Sequence, residues 1–383
     1  MIELFPAPRR YIQRKGISKR SGEFVSSYGN RPLFLMDQAV LPHLQDILSA
    51  SLEPVHTLPR FTTFGGECCR SEIDRVCDLV RGAGLNVLVG VGGGKALDTA
   101  KAAGFYSGCP VITIPTSAAT CAAWSDICPL YTEDGVYLET LRLERNPDLV
   151  LVDPEIIVRA PARLLTAGMG DALAKWYEGR ISLDERGDAS CRAAINLSKM
   201  ARDMVKDYGP KARKDAEAQT CSRETERIIE VNILLTGLIG GIGGRRCRSA
   251  IAHAVNYALT TLKAARTALH GERVGFGLIV QLVLERNERG QWDYNRELIE
   301  LMELYVLLKL PLTLREIGLK DSDTQALRRI ASLVCRNRNK RYNLPFPINE
   351  DMLYEAMIGA DRLGKDFIKG LEKRELPIGK EEV

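Results

Sequence analysis

GVGGGKALDTAKA, residues 90–102, decides how the chain folds. The apolar, β-rich run Asn86–Val91 enters these glycines directly, and helically spaced residues follow them. A strand that passes through a glycine turn into a helix is a building unit of a parallel sheet covered by helices. Gly92, Gly93 and Gly94 let the backbone approach a pyrophosphate closely, and the N–H groups that start the helix attract its negative charge. The spacing is not G-x-G-x-x-G, and a tight strand-to-helix turn alone would also use glycine. Nucleotide binding is the favoured of the two readings.

Outward from this stretch, Leu33–Met36 reads as a strand ending at Asp37, Val111–Ile114 as one closed by Pro115, and Leu149–Val152 as one ending at Asp153 and Pro154. Beyond about position 155 the β signal disappears and helical spacing continues to the C-terminus. Ala172–Ser182, Arg223–Leu238, Ala250–Leu262 and Val274–Leu284 are its clearest runs. A chain of 383 residues is too long for one ordinary core. The expectation is an α/β dinucleotide-binding domain with a parallel sheet over 1–158, then an all-helical metal-binding and substrate domain over 159–383. Pro154 and Pro161 bracket the link near Val158.

Composition narrows the function classes. Lys and Arg total 53 against 49 Asp and Glu, a net charge of +4 that gives no global pull toward nucleic acid or membrane. Arg336, Arg338, Lys340 and Arg341 read as a solvated loop. Val231–Gly244 is interrupted by glycines and falls short of the roughly 20 residues that span a bilayer, so a buried helix is expected. Met1–Arg10 lacks the apolar centre of a signal peptide. Ten cysteines without a repeated CxxC pair suggest reduced thiols and a cytoplasmic protein. No internal repeat or low-complexity tract is visible.

There are four histidines. His253 lies among apolar, helically spaced residues, and His270 precedes the run from Val274. Asp171 follows Gly168, Met169 and Gly170 and precedes Ala172–Tyr177, where an N-cap is the default reading. A lone apolar-face histidine is ordinarily a hydrogen-bonded core residue. One carboxylate and two imidazoles together make a three-ligand metal set with an open position, suited to polarising a substrate hydroxyl from which hydride leaves. Lys175 falls on the same helix face as Asp171; it either steers an anionic substrate or pairs with Asp171 or Glu178, and pairing is the simpler reading. Asp37 is placed either to accept from an adenosine ribose and repel a 2′-phosphate, favouring NAD over NADP, or to act as a loop aspartate or cap.

These residues resemble the glycerol dehydrogenase group of the iron-containing alcohol dehydrogenase superfamily over nearly the whole chain. The most specific segments are GVGGGKALDTAKA (90–102), APARLLTAGMGDALAKWYE (160–178), AHAV (252–255) and LHGERVGFG (269–277). The resemblance implies an N-terminal dinucleotide-binding α/β domain, an all-helical C-terminal domain and an active site in the cleft between them. It implies zinc or iron on Asp171, His253 and His270. It implies cofactor contacts from Gly92, Gly93, Gly94, Asp98, Thr116 and Ser117, with Lys95 of the same segment counted among them. Asp37 matches an acidic position associated with NAD, and Tyr131 in PLYTEDG matches a tyrosine near the nicotinamide. The family's tendency to assemble implies a homo-oligomer.

Two departures bear on the substrate. Glycerol dehydrogenases usually carry aspartate where this chain has Cys121, and a second histidine where it has Asn256. The ATCAAW stretch and the run Gly244, Arg245, Arg246, Cys247 and Arg248 look more like the hydroxycarboxylate dehydrogenase branch, although that branch favours NADP. A guanidinium such as Arg248 in the cleft could bind a carboxylate or phosphate bidentately, and a solvated helix end is its plain alternative. The leading expectation is an NAD-dependent, metal-dependent dehydrogenase of a small secondary alcohol, with a 2-hydroxy acid slightly ahead of a polyol. Cys121, Lys175 and Arg248 are its candidate catalytic residues. The alternatives are glycerol dehydrogenase proper, a cyclising lyase resembling dehydroquinate synthase, which would release no net NADH, and a non-catalytic relative, which would bind neither metal nor NAD.

Overall fold

The computed structural model describes residues 7–182, 188–244, 250–289, 292–320, 323–336 and 344–375. Its strands are β1 (Arg10–Gln13), β2 (Pro32–Met36), β3 (Arg60–Thr63), β4 (Val87–Gly92), β5 (Val111–Pro115), β6 (Ile127–Tyr131), β7 (Tyr137–Arg142) and β8 (Leu149–Val152). Six of them form a parallel sheet in the order β1-β8-β5-β4-β2-β3, while β6 and β7 pair as an antiparallel hairpin.

Every residue of β4 is buried, as expected of a parallel strand covered on both faces. Successive side chains divide between those faces. Leu33, Leu35 and Leu88 pack with Ile73 and Val76 of the 70–82 helix and Ala96 and Ala100 of the 94–107 helix. Phe34, Met36, Val87, Val89 and Val91 pack with Leu44, Leu48 and Leu52 of the 41–52 helix. The four strands expected from sequence are β2, β4, β5 and β8. Edge strands β1 and β3 went unread because neither contains a fully buried residue, so neither carries the continuous apolar run of an inner strand.

The chain runs outward from β2 to β3 on one side and from β4 to β5 on the other. The direction therefore reverses between β2 and β4, and the crevice at their carboxyl ends is where such sheets take ligands. Asp153 ends the sheet by accepting from Gly16 N (3.0 Å), Ser18 N (3.1 Å) and Ser18 Oγ (2.6 Å), and it caps the following helix through Glu155 N (3.2 Å).

Beyond β8 the described elements are helical. Asp171 is not an N-cap: it lies inside the continuous helix Ala162–Ser182, which starts nine residues before it. The expected helix Arg223–Leu238 contains a π-helical turn, Glu230–Leu235, between Arg223–Ile229 and Thr236–Gly243. His253 sits in Ile251–Leu259, and His270 begins the helix His270–Arg289. Packing divides the chain into two compact units, Met1–Arg248 and Ser249–Val383; the described part of the second is helical. No helix among the described residues is long and apolar enough to cross a membrane.

Candidate functional site

In the first unit, the ends of β2, β4 and β5 gather Asp37, the glycine turn, Thr116 and Ser117. Asp37 N–H donates to Val91 O at 2.9 Å and Thr116 N–H to Gly92 O at 3.0 Å, so three strand ends are tied around Gly92. Gly92 has φ +155°, and a Cβ there would stand 2.7 Å from Asp37 Cβ. Only glycine fits. A Cβ on Gly93 would lie 3.8 Å from Ser117 Oγ, and one on Gly94 3.1 Å from Thr120 Oγ1. Thr120 was not singled out from sequence, although its place in TSAAT, four residues after Thr116, was the available signal. No side chain caps the helix that begins at Gly94. The Asp37 carboxylate is oriented by Ala39 N–H at 3.1 Å.

Lys95 forms an ion pair with Glu67 and lies over the Tyr131 ring, 5.5 Å from its centroid. Glu67 is the partner that sequence reading missed. Asp98 points into the interior and pairs with Lys101 at 2.8 Å. Lys101 Nζ also donates to Ser125 O at 2.9 Å and Ile127 O at 2.8 Å, so the pair braces the segment before β6. Burial pushes the Asp98 carboxyl up to about 6, with the Lys101 charge acting in the opposite direction.

The segment carrying Cys121 is held from below. Asn232 Nδ2, presented by the π-helical turn, donates to Ala118 O at 2.8 Å and to Leu165 O at 2.9 Å. A Cβ on Gly168 would fall 2.0 Å from Ala118 O, and one on Gly237 2.3 Å from Trp124 Cγ. The helices thus approach the 118–124 backbone and indole without a side chain between. Lys175 Nζ lies 3.2 Å from Asp171 Oδ1, which is the pairing weighed from sequence. Burial of Lys175 disfavours its charge, but the negative charge of Asp171, with Cys121 and Glu178, outweighs that effect and holds its pKa above the ordinary value.

In the second unit, His253 and His270 face each other with ring centroids 5.6 Å apart. Their spacing follows from a close helix approach: a Cβ on Gly277 would lie 2.6 Å from Ala252 O, next to His253. Asn256 Nδ2 lies 3.2 Å from His270 Nδ1, and Arg273 Nε donates to Asn256 Oδ1 at 2.9 Å. Arg273 Nη1 donates to Ala265 O at 3.1 Å and also to Ala268 O. Sequence reading had noted Asn256 only as a departure and had passed over Arg273. Arg248, with Arg245, Arg246 and Cys247, lies outside the described residues, as do Arg338, Lys340 and Arg341 of the basic loop.

The first unit is thus built on a parallel α/β sheet with a glycine turn at its switch point, and the second carries the two imidazoles on helices. The profile of the iron-containing alcohol dehydrogenase family matches residues 8–154. A glycerol dehydrogenase from Pseudomonas putida is 36% identical over 374 residues, covering 96% of this chain and 100% of the relative. Hydroxycarboxylate dehydrogenase A from Escherichia coli K12 is 34% identical over 360 residues, covering 93% and 96%. The crystal structure of a probable glycerol dehydrogenase from Sinorhizobium meliloti 1021 superposes with a TM-score of 0.84 at 35% identity, covering 94% of this chain and 98% of that one. The chain belongs to the glycerol dehydrogenase-like group of the iron-containing alcohol dehydrogenase family, and it is an oxidoreductase acting on CH–OH donors.

Proposed function

We propose that the chain is an NAD-dependent, divalent-metal-dependent dehydrogenase that interconverts a small secondary alcohol, a 2-hydroxy acid or a polyol, and its ketone. The observation that carries the metal half of this reading is the pair of facing imidazoles, His253 and His270. With the Asp171 carboxylate they offer three ligand atoms of the kinds that zinc and iron accept, which fits a resident divalent ion. When bound, that ion supplies Lewis acidity toward the substrate oxygen, and NAD takes the hydride.

The chain's own residues do the binding and orienting. Gly92–Gly94 admit the pyrophosphate to the uncapped helix start, with Thr116 and Ser117 beside it. Asp37, oriented by Ala39, accepts from the ribose hydroxyl and repels a 2′-phosphate, which supports NAD over NADP. Lys95 and Tyr131 form one wall with Glu67. Lys175 holds the Asp171 carboxylate in place. Cys121 lacks the charged carboxylate acceptor that an aspartate there would offer a polyol, and this favours the hydroxy acid over glycerol. The named relatives include enzymes for both kinds of substrate.

The reading includes the division into domains 1–158 and 159–383, a homo-oligomeric state and a cytoplasmic location, the last resting on the ten thiols. Its test is a screen of glycerol, 2-hydroxy acids and phosphorylated alcohols with NAD and NADP after loading with zinc or iron. His253→Ala and His270→Ala should each abolish metal-dependent NADH formation. Full activity in either variant would sink the metal assignment.

A further inference from the structure

Arg273, Asn256 and His270 form a chain in which only the first member has a fixed hydrogen-bonding sense. A guanidinium nitrogen only donates, so the Asn256 atom 2.9 Å from Arg273 Nε is the amide oxygen. The amide NH2, which also only donates, is then the group 3.2 Å from His270 Nδ1. Asn256 is 1% exposed and Arg273 8%, so bulk solvent does not compete for either bond. Two carbonyls, Ala265 O and Ala268 O, hold the guanidinium and keep the amide from turning over freely.

We infer that Arg273, acting through Asn256, sets the tautomer of His270: Nδ1 accepts, and in the neutral ring the proton sits on Nε2. Arg273 and Asn256 are positioning residues. This inference rests on the proposed metal reading for its consequence. With Nδ1 engaged by Asn256, Nε2 is the nitrogen left to ligate an ion, and a protonated nitrogen cannot ligate. A metal-binding histidine ordinarily donates its other N–H to an acceptor. Here that position is met by a donor, so the ring's proton must change nitrogen and the Asn256 amide must turn against Arg273 when an ion is taken up. The pair therefore weakens the hold on the metal relative to a protein with an acceptor at position 256.

The full-length metal-free protein tests this directly. Nitrogen-15 NMR of the His270 ring, assigned by comparison with His270→Gln, should report an unprotonated Nδ1. In Asn256→Asp the carboxylate can accept from Nδ1–H, so Nδ1 should become protonated and zinc, measured by competition with a chelator, should bind on the order of tenfold more tightly. A protonated Nδ1 in the unaltered protein, or, where that protein binds zinc, unchanged or weaker zinc binding by Asn256→Asp, would overturn the inference. The NMR readout needs no metal, so an unprotonated Nδ1 in a protein that binds no zinc would uphold the tautomer and count against the metal reading alone.

Discussion

At the scale of single residues, the Asp98–Lys101 pair carries a charge effect that sequence alone does not reveal. Resemblance gave Asp98 a cofactor contact; the structure also gives it a buried lysine 2.8 Å away. Burial raises its carboxyl from the ordinary 3.8 to about 6, against the pull of Lys101. A carboxyl whose pKa is raised on folding takes up a proton in the folded state first. Its contribution to stability is fully present below about 3.8 and is lost as pH rises through about 6. A shift of this size corresponds to roughly 3 kcal/mol at most. Asp98→Asn should therefore flatten the slope of unfolding free energy against pH between about 4 and 6, measured by urea denaturation. An unchanged slope would show that Asp98 titrates at its ordinary value. The types of the site residues could be read from the chain because glycines, histidines and isolated aspartates are informative by themselves. Glu67 and Arg273 could not, because their importance lies in what folding sets beside them.

At the scale of elements, the 162–182 helix starts earlier than the chain alone suggests. Asp171 follows Gly168, Met169 and Gly170, where an N-cap is the default reading, and it lies nine residues inside the helix. Gly168 instead stays helical because position 168 faces Ala118 O and Asn232, with no room for a methyl group. The π-helical turn has no sequence period of its own, yet it presents Asn232 to two carbonyls at once; such turns are frequent at functional sites. Gly370, inside the helix Glu350–Glu375, has nothing within 4 Å of its imagined Cβ. Alanine at a helix interior with open space around it is worth about 1 kcal/mol over glycine, whereas overpacking a core costs about 1–3 kcal/mol. Gly370→Ala should accordingly raise the melting temperature. Gly168→Ala should lower it and weaken NAD binding through the displaced 118–124 backbone. Calorimetry and a binding titration check both, and a stabilised Gly168→Ala would mean that the loop yields without consequence.

For the whole molecule, the parallel sheet and the helical remainder were legible because β4 and its neighbours are largely apolar and buried throughout, and the β signal stops after β8. The packing division at Arg248 and Ser249 was not, since it falls within the helical part of the chain, where hydrophobic periodicity has the same form on either side. The proposed dinucleotide-side residues all lie on one side of that division. Asp37, Gly92–Gly94, Thr116 and Ser117 lie in Met1–Arg248, and both imidazoles lie in Ser249–Val383. Cofactor binding should then survive the loss of an imidazole, and metal binding the loss of Asp37. Asp37→Ser removes hydrogen bonds from a charged acceptor, worth about 1.5–3 kcal/mol, so NAD binding should weaken by on the order of ten- to a hundredfold while zinc binding is retained. The discrimination against NADP should fall with it. His253→Ala should lose zinc and turnover while binding NAD as before. Isothermal titration of each variant with NAD, NADP and zinc resolves the four combinations. Loss of NAD binding in a folded His253→Ala protein would refute that independence, because it would make His253 part of the dinucleotide site.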